Sequence, residues 1–313
     1  MRKLYLVAIL MLAMVGCDDP MEVSGHIIDF ASQINRSIIE DVDGLYGEPG
    51  IKLFGTATLN DDIIRLFDAE KLYCSTSSNN WEYDNTRYWV PQAEHHFCAL
   101  WPYGTQCNFS SNDSVVTIDN YTATATGADL LYATATRNLV DSEDYSAVPL
   151  TLHHACAALQ FNIINASDKV VSLVNNVYLV GLKNKGTFSF GTEVAAGWVL
   201  GDSVVAATDY TTYGGATLTN LSVDINAKNS LYEGGAILVL PQDILSDVKF
   251  HLEITKQGNY NPEKKDILLG QLGGSAPTRW ETGKRYEYTM TVTENAIVSN
   301  VKVVPWVDQY VDL

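Results

Sequence analysis

The sequence predicts an all-β protein built from two antiparallel sandwiches in tandem. Three observations lead there. Strand-favouring Thr, Val, Tyr and Ile are abundant while only 18% of residues are charged. Short apolar runs are punctuated by Gly, Asn and Asp, the residues that turn a chain. After residue 16 no long stretch carries helical periodicity, apart from a short helix expected near Ile27–Ile39. The roughly 297 residues that follow exceed what one sandwich core needs, so two cores are expected.

Taken in order, the chain opens with Arg2 and Lys3, an uninterrupted apolar run from Leu4 to Val15, and then Gly16-Cys17-Asp18-Asp19. A run of this length is too short to span a bilayer, so residues 1–16 read as a signal peptide. Residues 17–48 form an acidic leader or tether, with Asp18, Asp19, Glu22, Asp29, Glu40, Asp41 and Asp43. Within it, Asp41-Val42-Asp43-Gly44 starts like a calcium loop, but no bidentate Glu stands at the twelfth position.

Strands begin at Ile51–Ala57 and Ile63–Tyr73, joined by a turn at Asn60-Asp61-Asp62. An aromatic block follows: Trp81, Tyr83, Tyr88, Trp89, Trp101 and Tyr103, with Pro91 and Pro102 at strand ends. Val115–Ile118 is a strand, and a loop-like segment runs from there to Ala147. Pro149–Leu152 opens one long strand through His154 to Leu159, Phe161 and Ile163. Further strands are expected at Leu173–Val180, Thr187–Phe190, Gly197–Leu200, Leu218–Ile225, Ala236–Leu240, Val248–Thr255, Ile267–Leu269, Tyr286–Val292 and Ile297–Val304, with a turn at Lys185-Gly186. The seam lies within 147–165, which divides the chain into sandwiches at 49–155 and 156–313.

The net charge is −17, and loss of Arg2 and Lys3 with the signal peptide leaves 18 basic against 37 acidic residues, about −19. Nucleic acid is excluded as a partner by that surface, and an anionic membrane gains no electrostatic hold on it. Cys74, Cys98, Cys107 and Cys156 form an even set compatible with three disulfide pairings or with buried thiols. His95-His96-Phe97-Cys98 and His153-His154-Ala155-Cys156 repeat the pattern H-H-x-C. Period-two alternation puts His96 with Cys98 and His154 with Cys156, so pairing of the two strands would create a tetrahedral Cys2His2 zinc site; packing into a core is the plainer role. No nucleophile elbow, zincin helix or phosphate loop is present, so neither enzyme activity nor a cofactor is expected. The aromatic block suits inter-sheet packing, with a sugar-stacking platform on a monomeric surface protein as the alternative.

The Gly16-Cys17 step resembles a bacterial lipoprotein processing site, with Met14 where Leu is usual, and Cys17 is then the lipidated residue. Further along, Trp89-Val90-Pro91 with Phe97–Pro102, then Asp129–Ala133, Val148–Phe161 with His154, and Trp280–Tyr288 are similar in order and spacing to the signatures of the fimbrillin-like family of Bacteroidales. That resemblance implies two transthyretin-like sandwiches, export as an outer-membrane lipoprotein, and assembly into an adhesive fimbria. It also implies strand donation, in which an extended segment of one subunit fills an apolar groove of the next. A trypsin-like cut in the leader frees the groove, and Arg36 is the matching residue; the final residues 307–313 suit a partner-seeking tail. Asp18-Asp19 resembles a surface-export signal, and Asp113-Ser114-Val115 and Asp202-Ser203-Val204 resemble the O-glycosylation tripeptide of the same phylum.

Overall fold

In the computed structural model, residues 25–34, 50–74, 81–125, 127, 129–206, 221–232 and 235–306 are described. Cys17, Arg36, Asp41–Gly44 and residues 307–313 lie outside them. Among the described residues the sole helix is a three-residue 3-10 turn, Leu269–Gln271, and no helix is long and apolar enough to cross a membrane.

Alternating apolar and polar residues build the first sheet. It runs in the order β1 (Phe30–Ile34), β9 (Val148–His154), β8 (Leu131–Asn138), β5 (Glu94–Trp101), β2 (Ile51–Leu59), β3 (Asp62–Cys74) and β4 (Trp81–Glu82). The β2–β3 hairpin turns at Asn60 and Asp61, whose φ values of 50° and 67° match the twist of the flanking strands. The two ends of this order come together, β1 lying near β4, so the sheet curls around an interior of Leu53, Phe67, Phe97, Leu131 and Leu150.

On the outer side of β2 and β5, Phe54, Cys98 and Leu100 pack against a second sheet. Its order is β13 (Gly197–Leu200), β12 (Lys185–Gly191), β7 (Val115–Thr122) and β6 (Asn108–Ser110). Phe188, Phe190, Val116 and Ile118 fill the contact.

The third sheet pairs β15 (Lys228–Ser230), β10 (Ala157–Asn165), β21 (Lys284–Val292) and β22 (Ile297–Pro305), with β16 (Ile237–Val239) also on β10. A fourth runs β14 (Leu221–Val223), β11 (Val171–Val180), β18 (Lys249–Lys256) and β19 (Glu263–Leu268). The short pair β17 (Gln242–Asp243) and β20 (Arg279–Trp280) completes the set. These sheets share one core, centred on Phe161 stacked between Phe250 at 4.0 Å and Tyr288 at 5.1 Å.

Four local expectations are corrected. Over its described part, the segment expected to be helical near Ile27–Ile39 contains strand β1, because Ile28 and Phe30 alternate inward and β9 offers an open edge. The segment expected to be a loop up to Ala147 contains β8, a central strand between β5 and β9. The single long strand expected from Pro149 to Ile163 is two, broken at Ala155-Cys156, where the chain leaves one sheet for another. Lys185-Gly186 is not a turn but the start of β12. Beyond the step at 155–156 the chain also returns: β12, from the second half, pairs antiparallel with β7 from the first.

Candidate functional site

The leader segment is threaded between two walls of backbone. On one side β1 pairs in parallel with β9, Phe30 opposite Val148 and Ile34 opposite Leu152, and the Val148 N–H donates to Asp29 O at 2.8 Å. On the other side Ile28 N–H donates to Arg87 O at 2.9 Å and Trp89 N–H to His26 O at 2.9 Å. The Tyr83 hydroxyl donates to Ile28 O at 2.7 Å. Hydrogen bonding on both edges is what a strand inserted into a slot requires.

Side chains seat the segment in that slot. Ile28 is fully buried and Phe30 is 5% exposed, while His26, Ile27, Asp29 and Ala31 face outward. The Phe30 ring meets Phe97 at 5.5 Å, Phe67 at 5.6 Å and Tyr83 at 6.1 Å, all edge to face. Gly55 lies beneath two of these rings, and a Cβ there would stand 2.8 Å from Phe67 and 3.0 Å from Phe97. At the entrance His26 stacks on Tyr145 at 4.0 Å. Burial of Ile28 and Phe30 contributes about 1.5–3 kcal/mol each, and each backbone hydrogen bond about 0.5–1.5 kcal/mol net. Burial pushes the Tyr83 phenol upward and the hydrogen bond donated by the Arg87 backbone N–H pulls it down, burial prevailing. The alternation of Ile28 and Phe30 is the sequence signal for this strand; it is two residues long on the inward face and easily taken for part of a helix.

The other singled-out residues disperse. His96 and Cys98 sit on β5 and face the second sheet: His96 Nδ1 hydrogen-bonds Thr192 Oγ1 at 2.8 Å, and the Cys98 thiol donates to Ser114 O at 3.2 Å. His154 Nδ1 lies 2.6 Å from Asp129 Oδ2 with its ring stacked on Trp306 at 3.9 Å, tying the end of β9 to the end of β22. Cys156 is fully buried. The pairing a zinc site would need does not occur, since β8 lies between β5 and β9. Among the described residues no group of three or more His, Cys, Asp or Glu is placed to hold a metal ion. Cys98, Cys107 and Cys156 are free thiols, and burial pushes the Cys98 thiol up to about 12.

The aromatic block is packing in part, with Tyr88 40% exposed. Trp89 and Trp101 are buried, Tyr83 lines the leader slot, and Tyr103 receives the Lys52 ammonium at 5.4 Å. Of the two Asp-Ser-Val triplets, Ser114 is buried against Thr56 at 2.8 Å and Ser203 is exposed.

Residues 43–306 match the family described as Fimbrillin-like. The fold is similar to that of a fimbrial protein from Bacteroides vulgatus, with a TM-score of 0.59 and 15% identity over 90% of this chain and 99% of the other. It is also similar to a protein from Bacteroides ovatus assigned to cell adhesion, with a TM-score of 0.58 and 16% identity over 91% and 99% of the two chains. A third, from Bacteroides uniformis and assigned likewise, has a TM-score of 0.55 and 14% identity over 90% and 99%. No curated protein matches the chain. With the family match extending over well over half of its length, the chain belongs to the Fimbrillin-like family, a family of fimbrial structural subunits and not of enzymes.

Proposed function

We propose that this protein is a lipid-anchored fimbrial subunit that joins its neighbours by strand donation. Its family already makes it an all-β fimbrial subunit of the cell surface that meets other subunits. The finer assignment rests on one observation: the leader lies in a slot lined by Phe67, Tyr83 and Phe97, bonded on one side to Arg87, Trp89 and Tyr83 through His26 and Ile28 and on the other to β9 from Asp29 to Ile34. Arg36 follows the end of β1 by two positions in sequence. A cut after Arg36 would leave β1 held by non-covalent contacts alone. Its departure would uncover the apolar slot and the free edge of β9 for an extended segment of a second subunit.

In this scheme Cys17 carries the lipid that holds the unprocessed chain to the outer membrane, and residues 307–313 are the donated tail. The sandwiches are transthyretin-like units at 49–155 and 156–313, with β12 and β13 of the second stretch added to the sheet of β7 in the first. The test compares unheated and boiled native envelope fractions on an SDS gel, with N-terminal sequencing of each band. A heat-sensitive ladder that collapses to a band beginning at Ser37 is expected. A monomer alone, still beginning at Cys17, would overturn processing-coupled donation.

A further inference from the structure

On the outer face of the first sheet, away from the leader slot, lies an open depression of about 390 Å³. We infer that it binds a neutral hexopyranose unit of a glycan, with Tyr132 and His153 as the stacking floor and Glu193 as the hydroxyl acceptor. Tyr132 on β8 and His153 on β9 are directly cross-strand, and their rings lie 5.7 Å apart at 43°. Phe188 and Phe190, each 5.2 Å from Tyr132, pack against its ring. Thr134, Thr192 and Val194 complete the wall.

Three polar groups of this depression are unspent. The Tyr132 hydroxyl, the His153 imidazole and the Glu193 carboxylate make no hydrogen bond or ion pair with any described residue. The loop that carries Glu193 is nonetheless fixed at its start. Thr192 Oγ1 is held to His96 at 2.8 Å, and the Gly191 N–H donates to Val194 O at 3.3 Å. An aromatic floor with unpaired donors and acceptors at its rim is a chemistry that fits a sugar. The ring's C–H face stacks, and its hydroxyls satisfy the carboxylate, phenol and imidazole. A pyranose that presents contiguous axial-face hydrogens, as galactose does, suits the floor best. The Glu193 carboxylate, on a chain of net charge −17, selects neutral sugars over uronates and sialic acids.

The probe is methyl β-D-galactopyranoside, followed by saturation-transfer difference NMR on the purified full chain, with D-galacturonate as the anionic comparison. Transfer to the H3–H5 face is expected, with a dissociation constant of about 1 mM, and none to galacturonate. Tyr132→Phe keeps the ring and should weaken binding a few-fold. The Glu193→Ala, His153→Ala double variant changes two side chains that make no polar contact in the fold, and should weaken binding at least tenfold. Glu193→Gln should admit galacturonate. Absence of transfer from the galactoside, or equal transfer in the double variant, would overturn the assignment. Neither result depends on strand exchange, so this site and the donation scheme fail or stand separately.

Discussion

Truncation of Phe30 to alanine should loosen the leader without unfolding the remainder. Phe30 is 5% exposed and touches three rings, so its removal empties a space that Phe67, Tyr83 and Phe97 cannot collapse to fill. Substitutions of this kind cost about 3–5 kcal/mol in a closed core. At about 1.4 kcal/mol per tenfold, opening of the slot becomes between about a hundredfold and a few thousandfold more frequent. The reporter is the Val148 amide, whose hydrogen bond to Asp29 O at 2.8 Å breaks when β1 lifts away. Native-state hydrogen exchange should show that amide accelerating by the factor just given, while those of Phe161 and Tyr288 in the other core keep their rates. An unchanged Val148 rate would mean that Phe30 does not hold β1 down. Acceleration by one common factor at all three amides would mean that the leader opens only with the whole molecule, and the donation scheme would lose its physical basis.

Three further outcomes are expected. Gly55→Ala forces a methyl against the buried Phe67 and Phe97 rings, and should lower the urea midpoint by an amount equivalent to about 1–3 kcal/mol. His95 is fully buried, with Nε2 accepting from the Val90 N–H at 3.2 Å, and burial pushes its pKa down from 6.5 to about 4. Between those values the unfolded chain binds the proton and the folded chain does not, so stability falls as pH falls, by up to about 3 kcal/mol through this group. His95→Asn should flatten the difference between denaturation curves at pH 7 and pH 4.5; an unchanged difference would refute the assignment. A maleimide pulse read by peptide mass spectrometry should label half-buried Cys107 ahead of buried Cys98 and Cys156, and the two buried thiols should react only in denaturant.

Legibility in the sequence follows contrast between neighbours. The β2–β3 hairpin is plain because apolar residues alternate with polar ones and Asn60-Asp61 supply two positive φ values. By contrast β8 is hidden. Its inward Ala133 and Ala135 alternate with Thr134 and Thr136, a hydropathy step too small to see, and its burial comes from central placement between β5 and β9. The break at Ala155-Cys156 is invisible for the opposite reason, since small apolar residues continue on both sides while the pairing partners change. Composition located the aromatic block but not its burial, because Trp89 and Trp101 read the same inside a core as on a platform. The Tyr132–His153–Glu193 depression has no linear signature. One member arrives by cross-strand register and another by a loop returning from the second half of the chain.

That return bears on how a fibre of such subunits would carry load. The chain passes from the first sheets to the second core at residues 155–156, comes back to β12 and β13 beside β7, and leaves again for β14. Two bodies joined by one linker swivel; two bodies stitched by more than one pass of backbone, here at 155–156 and again between β11 and β12, resist both bending and twist. The Trp198 indole N–H donating to Ala155 O at 2.7 Å, and Trp306 stacked on His154, pin the same joint from either side. Tension entering at one end of the subunit is therefore shared among parallel covalent paths, and the subunit acts as a rigid strut whose compliance resides at its contacts with its neighbours.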